Sequence, residues 1–103
     1  MTAAERTRKW KKLNPDKVRN TNLMWKYGIT LEEWKKLFRM QDNKCAICKS
    51  SSTNGKNWHT DHDHKTNKVR GILCNLCNLG LGKFKDDPLI LENAIAYLNR
   101  NTF

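Results

Sequence analysis

Hydrophobic positions fall at helical spacing most clearly in two stretches of the chain. In GITLEEWKKLF, residues 28–38, Leu31, Trp34, Leu37 and Phe38 share one face, as the core side of an amphipathic helix requires. Thr30 and Glu33 match a capping box, and Ile29 and Trp34 occupy the two positions of a hydrophobic staple. This spacing predicts a helix from about 30 to 41 with its apolar face in the core. In DDPLILENAIAYLNR, residues 86–100, Asp87 suits the cap, Pro88 the first turn, and Ile90, Leu91, Ala94, Ile95 and Leu98 an apolar stripe. That closing helix reads as structural.

Between the two the period changes. WHTDHDH and KVRGILC flank the polar link KTN, which predicts an antiparallel hairpin with β-branched Val69 and Ile72 in its second strand. A helix is expected to begin near Asn75 and stop around Gly82. The Ser, Thr, Asn and Gly cluster between Lys49 and Trp58 marks a solvent loop. Residues 1–27 show weak periodicity, with Asn14 as an N-cap and Pro15 at the first helical position, and read as a basic, partly frayed helical arm. The organisation predicted is an arm over 1–27 and a small α+β domain over 28–103, without internal repeats beyond a doubled Cys-x-x-Cys.

Charge adds a class of partner. Lys and Arg number 20 against 10 Asp and Glu, a formal charge of +10, so polyanions are natural ligands. Aromatics stand among the cations in RKWKK and MWKYG, where they either bury apolar surface or stack. A merely solvated basic surface is the plain competing reading. With 38% hydrophobic residues, no run approaches the roughly 18 apolar residues of a membrane span, and the N-terminus lacks a secretory apolar stretch. A soluble, intracellular protein is expected, with no membrane partner.

The chemistry-bearing residues sort by ligand type. Cys45 and Cys48 form one pair and Cys74 and Cys77 another, the spacing of a four-thiolate zinc site rather than of two disulfides. Structural Zn²⁺ would take all four and contribute folding free energy to a chain with a small core. HTDHDH, residues 59–64, is then left for another task. Along a strand Asp61 and His62 point to opposite faces, whereas His62 and His64 share one; at a strand end a neighbouring carboxylate and imidazole can border one site from two sides. Cleaving a phosphodiester needs a base for the attacking water and a cation on the phosphate. An imidazole, with an unperturbed pKa of about 6.5, suits the base, and a carboxylate suits Mg²⁺.

CAIC, HTDHDH, KVRGILCNLCN and LGKFKDDPLILENAIAYL, with YGITLEEW upstream, together resemble the phage recombination endonuclease VII family of the HNH, or ββα-metal, nucleases. The resemblance covers about residues 27 to 98 and implies a zinc-stapled ββα-metal core with flanking helices. It implies that Asp61 and Asn78 bind a catalytic Mg²⁺ or Mn²⁺, that His62 is the general base, and that His64 assists at the scissile phosphate. The product expected by resemblance carries a 5′-phosphate. Leu81 stands where junction-resolving members carry a Glu, and the chain ends at Phe103 without the long helical dimerisation region of those members.

The activity expected is therefore nicking of double-stranded or branched DNA by a monomer or weak dimer, in a phage-encoded or bacterial cytoplasmic setting. Lys9, Lys11, Lys12, Lys68, Arg70 and Lys83 are the candidate DNA contacts. Arg70 either meets phosphate or pairs with an Asp of the hairpin. Asp63 either caps the KTN turn or orients an imidazole, and His59 reads as a solvated surface residue. The rival reading is a zinc-stapled DNA-binding module without activity; a protein-interaction zinc knuckle is a third.

Overall fold

A computed structural model describes residues 1–100 of the chain. The elements run α1 (Ala3–Leu13), α2 (Pro15–Tyr27), α3 (Leu31–Met40), β1 (His59–His62), β2 (Val69–Leu73), α4 (Asn75–Lys83) and α5 (Pro88–Leu98). This is a small α+β fold of five helices and one two-stranded sheet among the described residues.

Local sequence signals set most of the helix ends. The Thr30 hydroxyl accepts from the Glu33 N–H at 3.1 Å and the Glu33 carboxylate from the Thr30 N–H at 3.0 Å, the reciprocal box that starts α3. Asn14 precedes α2 as expected, yet its amide does not cap that helix: Nδ2 donates to the Trp10 carbonyl at 2.8 Å and closes α1 instead. Gly28, at φ 70°, ends α2 in the left-handed conformation, which lets the chain turn directly into α3.

The core gathers where α3 crosses the hairpin. Leu23, Leu31, Trp34 and Ile72 are buried together, with Tyr27, Ile29, Leu37, Phe38 and Trp58 packed around them. Full burial of a side chain such as Ile72 stabilises the fold by roughly 1.5–3 kcal/mol. The core reaches back into the basic N-terminal segment, because α2 supplies Leu23 and because Asn20 Oδ1 accepts from the Leu31 N–H at 2.8 Å. A second cluster joins Cys45, Leu73 and Cys74, and Trp58 touches both clusters.

One glutamine ties α3 to β2. Gln41 accepts from the Ile72 N–H at 2.9 Å and donates back to the Ile72 carbonyl at 2.9 Å, so its amide mimics a neighbouring strand. Gly71 makes room for it: a Cβ there would stand 3.2 Å from Gln41 Oε1.

The first and last helices are the least covered elements. Helix α1 has no buried residue and extends into solvent. In α5, Ile90, Leu91 and Ala94 are half-buried but Ile95 and Leu98 are exposed, so the stripe read as structural is covered along only part of its length. The principal extents, 69 × 29 × 26 Å, reflect these projecting helices. No helix among the described residues is long and apolar enough to cross a membrane.

Candidate active site and metal centre

The four cysteines meet at one point. Their sulfurs all lie within 4.8 Å of one another, and Cys48 Sγ stands 3.7 Å from Cys74 Sγ. A tetrahedral zinc with bonds of about 2.3 Å sets sulfur–sulfur edges of about 3.8 Å, whereas a disulfide bond is about 2.05 Å long. The donor set and its spacing therefore suit structural zinc. Two tight turns of backbone present the first pair, with the Lys49 N–H donating to the Cys45 carbonyl at 3.1 Å and Lys49 itself at φ 64°. Cys74 caps the N-terminus of α4, and its sulfur accepts from the Cys77 N–H at 3.5 Å.

The thiols share charge unequally. Burial pushes the Cys45 thiol up, but N–H groups of Cys74, Cys48 and Ile47 and the Cys77 thiol together outweigh it and hold Cys45 at about 6. Burial and the surrounding thiols push Cys77 up to about 12. A dication bound among the four sulfurs would favour their thiolate forms.

The zinc-ligand loop and α4 bracket the hairpin. Strands β1 and β2 are antiparallel, pairing His59 with Leu73, Thr60 with Ile72 and Asp61 with Gly71; His62 then pairs with Val69, leaving Arg70 as an extra residue at a β-bulge. Alternation sends Thr60 toward α3, where its hydroxyl accepts from Trp34 Nε1 at 2.9 Å, and His59 toward α4. His59 is not the solvated residue expected. Its Nε2 donates to Asn75 Oδ1 at 3.1 Å, and Asn78 Nδ2 donates to its Nδ1 at 3.4 Å, so both ring nitrogens pin α4 to β1. The second bond turns the Asn78 amide so that its oxygen remains available to another partner.

Asp61, His64 and Asn78 line one open cavity of about 570 Å³, together with Lys83, Lys85 and Asp86. Arg70 donates from Nε and Nη2 to the two Asp61 oxygens at 2.8 and 3.1 Å, and from Nη2 to Asp86 Oδ2 at 3.2 Å. Of its two readings, the ion pair is the arrangement found. The Asp61 hydrogen bonds, acting against burial, raise the Arg70 guanidinium above its usual value. His64 Nε2 meets Asp86 Oδ2 at 3.1 Å. His62 is not among the residues that line the cavity; its ring lies 4.9 Å from that of His64, which does, and 5.6 Å from that of Tyr27.

Asp63 caps the turn: its Oδ1 accepts from the Lys65 N–H at 2.7 Å and the Thr66 N–H at 3.2 Å. These two donors hold its carboxyl below the usual range. Lys68 is exposed beside that turn, and Lys9, Lys11 and Lys12 are exposed along α1. Lys83 reaches the cavity, as does Lys85, which sequence reasoning passed over along with Asp86. On the hairpin's other face lies a groove of about 690 Å³ lined by Arg19, Lys26, Lys56, Trp34 and Trp58, with the Arg19 guanidinium 4.3 Å over the Trp34 ring.

Residues 20–100 match the family described as recombination endonuclease VII. The Gene 59 protein of Mycobacterium phage D29 is 41% identical over 81 residues, covering 78% of this chain and 49% of that protein. The Gene 59 protein of Mycobacterium phage L5 is 39% identical over 79 residues, covering 76% of this chain and 48% of the relative. The chain thus spans about half the length of these curated relatives.

Proposed function

The chain belongs to the recombination endonuclease VII family, and on that premise we propose that it is an HNH-type DNA endonuclease that hydrolyses phosphodiester bonds and nicks duplex or branched DNA. The observation that carries this reading is the shared cavity of Asp61, His64 and Asn78, built on the zinc-type cluster at Cys45, Cys48, Cys74 and Cys77.

The donors fit two different metals. Four sulfurs suit zinc, whose role is to fix the start of α4 against the hairpin. A carboxylate and an amide oxygen from separate elements suit Mg²⁺ or Mn²⁺, held by Asp61 and Asn78. When bound there, a divalent cation would neutralise charge on the phosphate and its leaving oxygen.

The chain's own groups do the rest. His62 takes the proton of the attacking water, and His64, on the cavity wall, donates to the scissile phosphate. Lys83 and Lys85 add positive charge at the same mouth. The basic groove around Arg19, Lys26 and Lys56, with the lysines of α1, holds the backbone on either side of the cut. Base edges are not addressed by any of these groups, so sequence preference is modest. A phage protein of this kind acts inside the host cell.

Supercoiled plasmid incubated with Mg²⁺ or Mn²⁺ tests the reading. Conversion to the nicked form is expected, with loss of cutting in EDTA and in Asp61→Ala and Asn78→Ala. Binding of DNA without any cutting in either metal would leave the non-catalytic zinc-stapled module as the correct description.

A further inference from the structure

Asp86 is the least expected member of the cavity. It follows α4 in the stretch FKDDP, where Asp87 serves as N-cap of α5 by accepting from the Leu89 N–H at 2.9 Å. Asp86 itself performs no capping. Its backbone lies at φ 53° and that of Lys85 at φ 59°, two successive left-handed residues without a glycine. Such conformations are disfavoured for side chains of this kind and persist where the surroundings over-determine them. Here three backbone bonds do so: Lys85 N–H to the Gly82 carbonyl at 3.0 Å, Asp86 N–H to Leu81 at 2.8 Å and Asp87 N–H to Phe84 at 3.1 Å.

A like pair stands at Asp42 (φ 57°) and Asn43 (φ 55°), so the backbone alone does not single out this turn; what does is the carboxylate it aims into the cavity. Its Oδ2 meets both His64 Nε2 at 3.1 Å and Arg70 Nη2 at 3.2 Å, and the same Arg70 nitrogen reaches Asp61 Oδ1 at 3.1 Å. The side chain of His64 is 69% exposed, and apart from the edge of His62 no other described group restrains it. An imidazole so exposed samples many rotamers; one hydrogen-bonded to a fixed carboxylate does not.

We propose that Asp86 is a positioning residue of the active site, whose carboxylate fixes the His64 imidazole and steadies Arg70 at the cavity wall. The proposal rests on the nuclease reading for what His64 does, and on geometry alone for how His64 is held.

Two substitutions separate aim from architecture. Asp86→Gly deletes the carboxylate while relieving the left-handed backbone, and Asp86→Asn keeps the backbone tolerance and an acceptor oxygen but drops the charge. In plasmid nicking, Asp86→Gly is expected to lower kcat roughly ten- to hundredfold with KM for DNA within about threefold, and Asp86→Asn to lose less. The melting temperature of Asp86→Gly is expected to be no lower than that of the parent. In zinc-loaded protein free of Mg²⁺ and Mn²⁺, the ¹⁵N–¹H signal of the His64 Nε2–H is expected to be visible in the parent and in Asp86→Asn, and lost to exchange in Asp86→Gly. Parental kcat in Asp86→Gly, or an undiminished His64 signal, overturns the proposal. If the parent does not cut DNA, the nuclease reading falls while the imidazole signal still decides what Asp86 does.

Discussion

Arg70 grips Asp61 with two hydrogen bonds, from Nε to Oδ2 at 2.8 Å and from Nη2 to Oδ1 at 3.1 Å. The β-bulge makes this possible, because the extra residue in β2 brings the guanidinium alongside the pairing partner of Gly71. Both carboxylate oxygens are engaged, and the Asp61 side chain is only 14% exposed. A divalent cation held by Asp61, as proposed, would therefore compete with Arg70. Arg70→Gln is expected to tighten Mn²⁺ binding in DNA-free protein by roughly three- to tenfold, the scale of a partly exposed bidentate pair. Isothermal titration with Mn²⁺ measures this, and an unchanged affinity would show that guanidinium and cation do not share the carboxylate.

The four-cysteine cluster predicts how the protein fails. One zinc per chain is expected on purification, released by a thiol-modifying reagent and counted with a colorimetric chelator. Zinc bound by such sites contributes roughly 10 kcal/mol or more to folding, comparable with the whole stability of an ordinary domain of about 5–15 kcal/mol. Stripped protein is thus expected to lose its cooperative thermal transition by circular dichroism. Cys45→Ser is expected to be as damaging as stripping, since Cys45 is fully buried and central to the second cluster. A metal-free chain melting at the same temperature as the parent would refute the zinc staple.

His59 links the strand to the helix that carries Asn78. His59→Ala removes two hydrogen bonds and leaves the amides of Asn75 and Asn78 to re-pair, which is expected to destabilise the fold by about 1–2 kcal/mol. With Asn78 no longer held in one orientation, nicking is expected to slow and to require more Mg²⁺, while DNA affinity stays near that of the parent. Urea unfolding and a Mg²⁺ titration of cleavage read the two effects separately. Loss of stability with an unaltered Mg²⁺ requirement would mean that His59 serves only as a brace.

What the sequence revealed, and what it hid, follows from the range of each interaction. The box at Thr30 and Glu33, Pro88 after its cap and the paired cysteines were legible because each signal lies within a few residues. Hairpin alternation separated Asp61 from His62, and Asp61 lines the cavity while His62 does not; it also grouped His62 with His64, yet His64, beyond the end of β1, lines the cavity with Asp61. His59 was misread because its partners Asn75 and Asn78 lie sixteen and nineteen residues away on another element. The bulge at Arg70 is marked only by the adjacent Gly71, an isolated glycine inside the strand, which alternation alone does not read. Asp86 was masked by Asp87, whose capping role accounts for only one of two adjacent carboxylates. The apolar stripe of α5 has a clear period, but periodicity shows which side chains align and not whether anything covers them.

Salt dependence tests which positive residues face DNA. Helix α1 buries nothing, so exchanging Lys9, Lys11 and Lys12 for Gln leaves the core intact, and any change in binding then reports on DNA contact. Each phosphate neutralised by the protein releases condensed counterions, and the plot of log affinity against log salt falls by about 0.9 per contact. If all three lysines meet phosphates, the triple variant is expected to bind less tightly at low salt and to show a slope shallower by up to about 2.7. A matching exchange of Arg19, Lys26 and Lys56 measures the groove on the other face of the hairpin, although Arg19 also stacks on Trp34 and its loss carries a packing cost. Fluorescence anisotropy with a short duplex between about 50 and 200 mM salt gives both slopes. Equal slopes for the parent and the α1 variant would place that helix off the DNA and leave the grip to the groove and the cavity mouth.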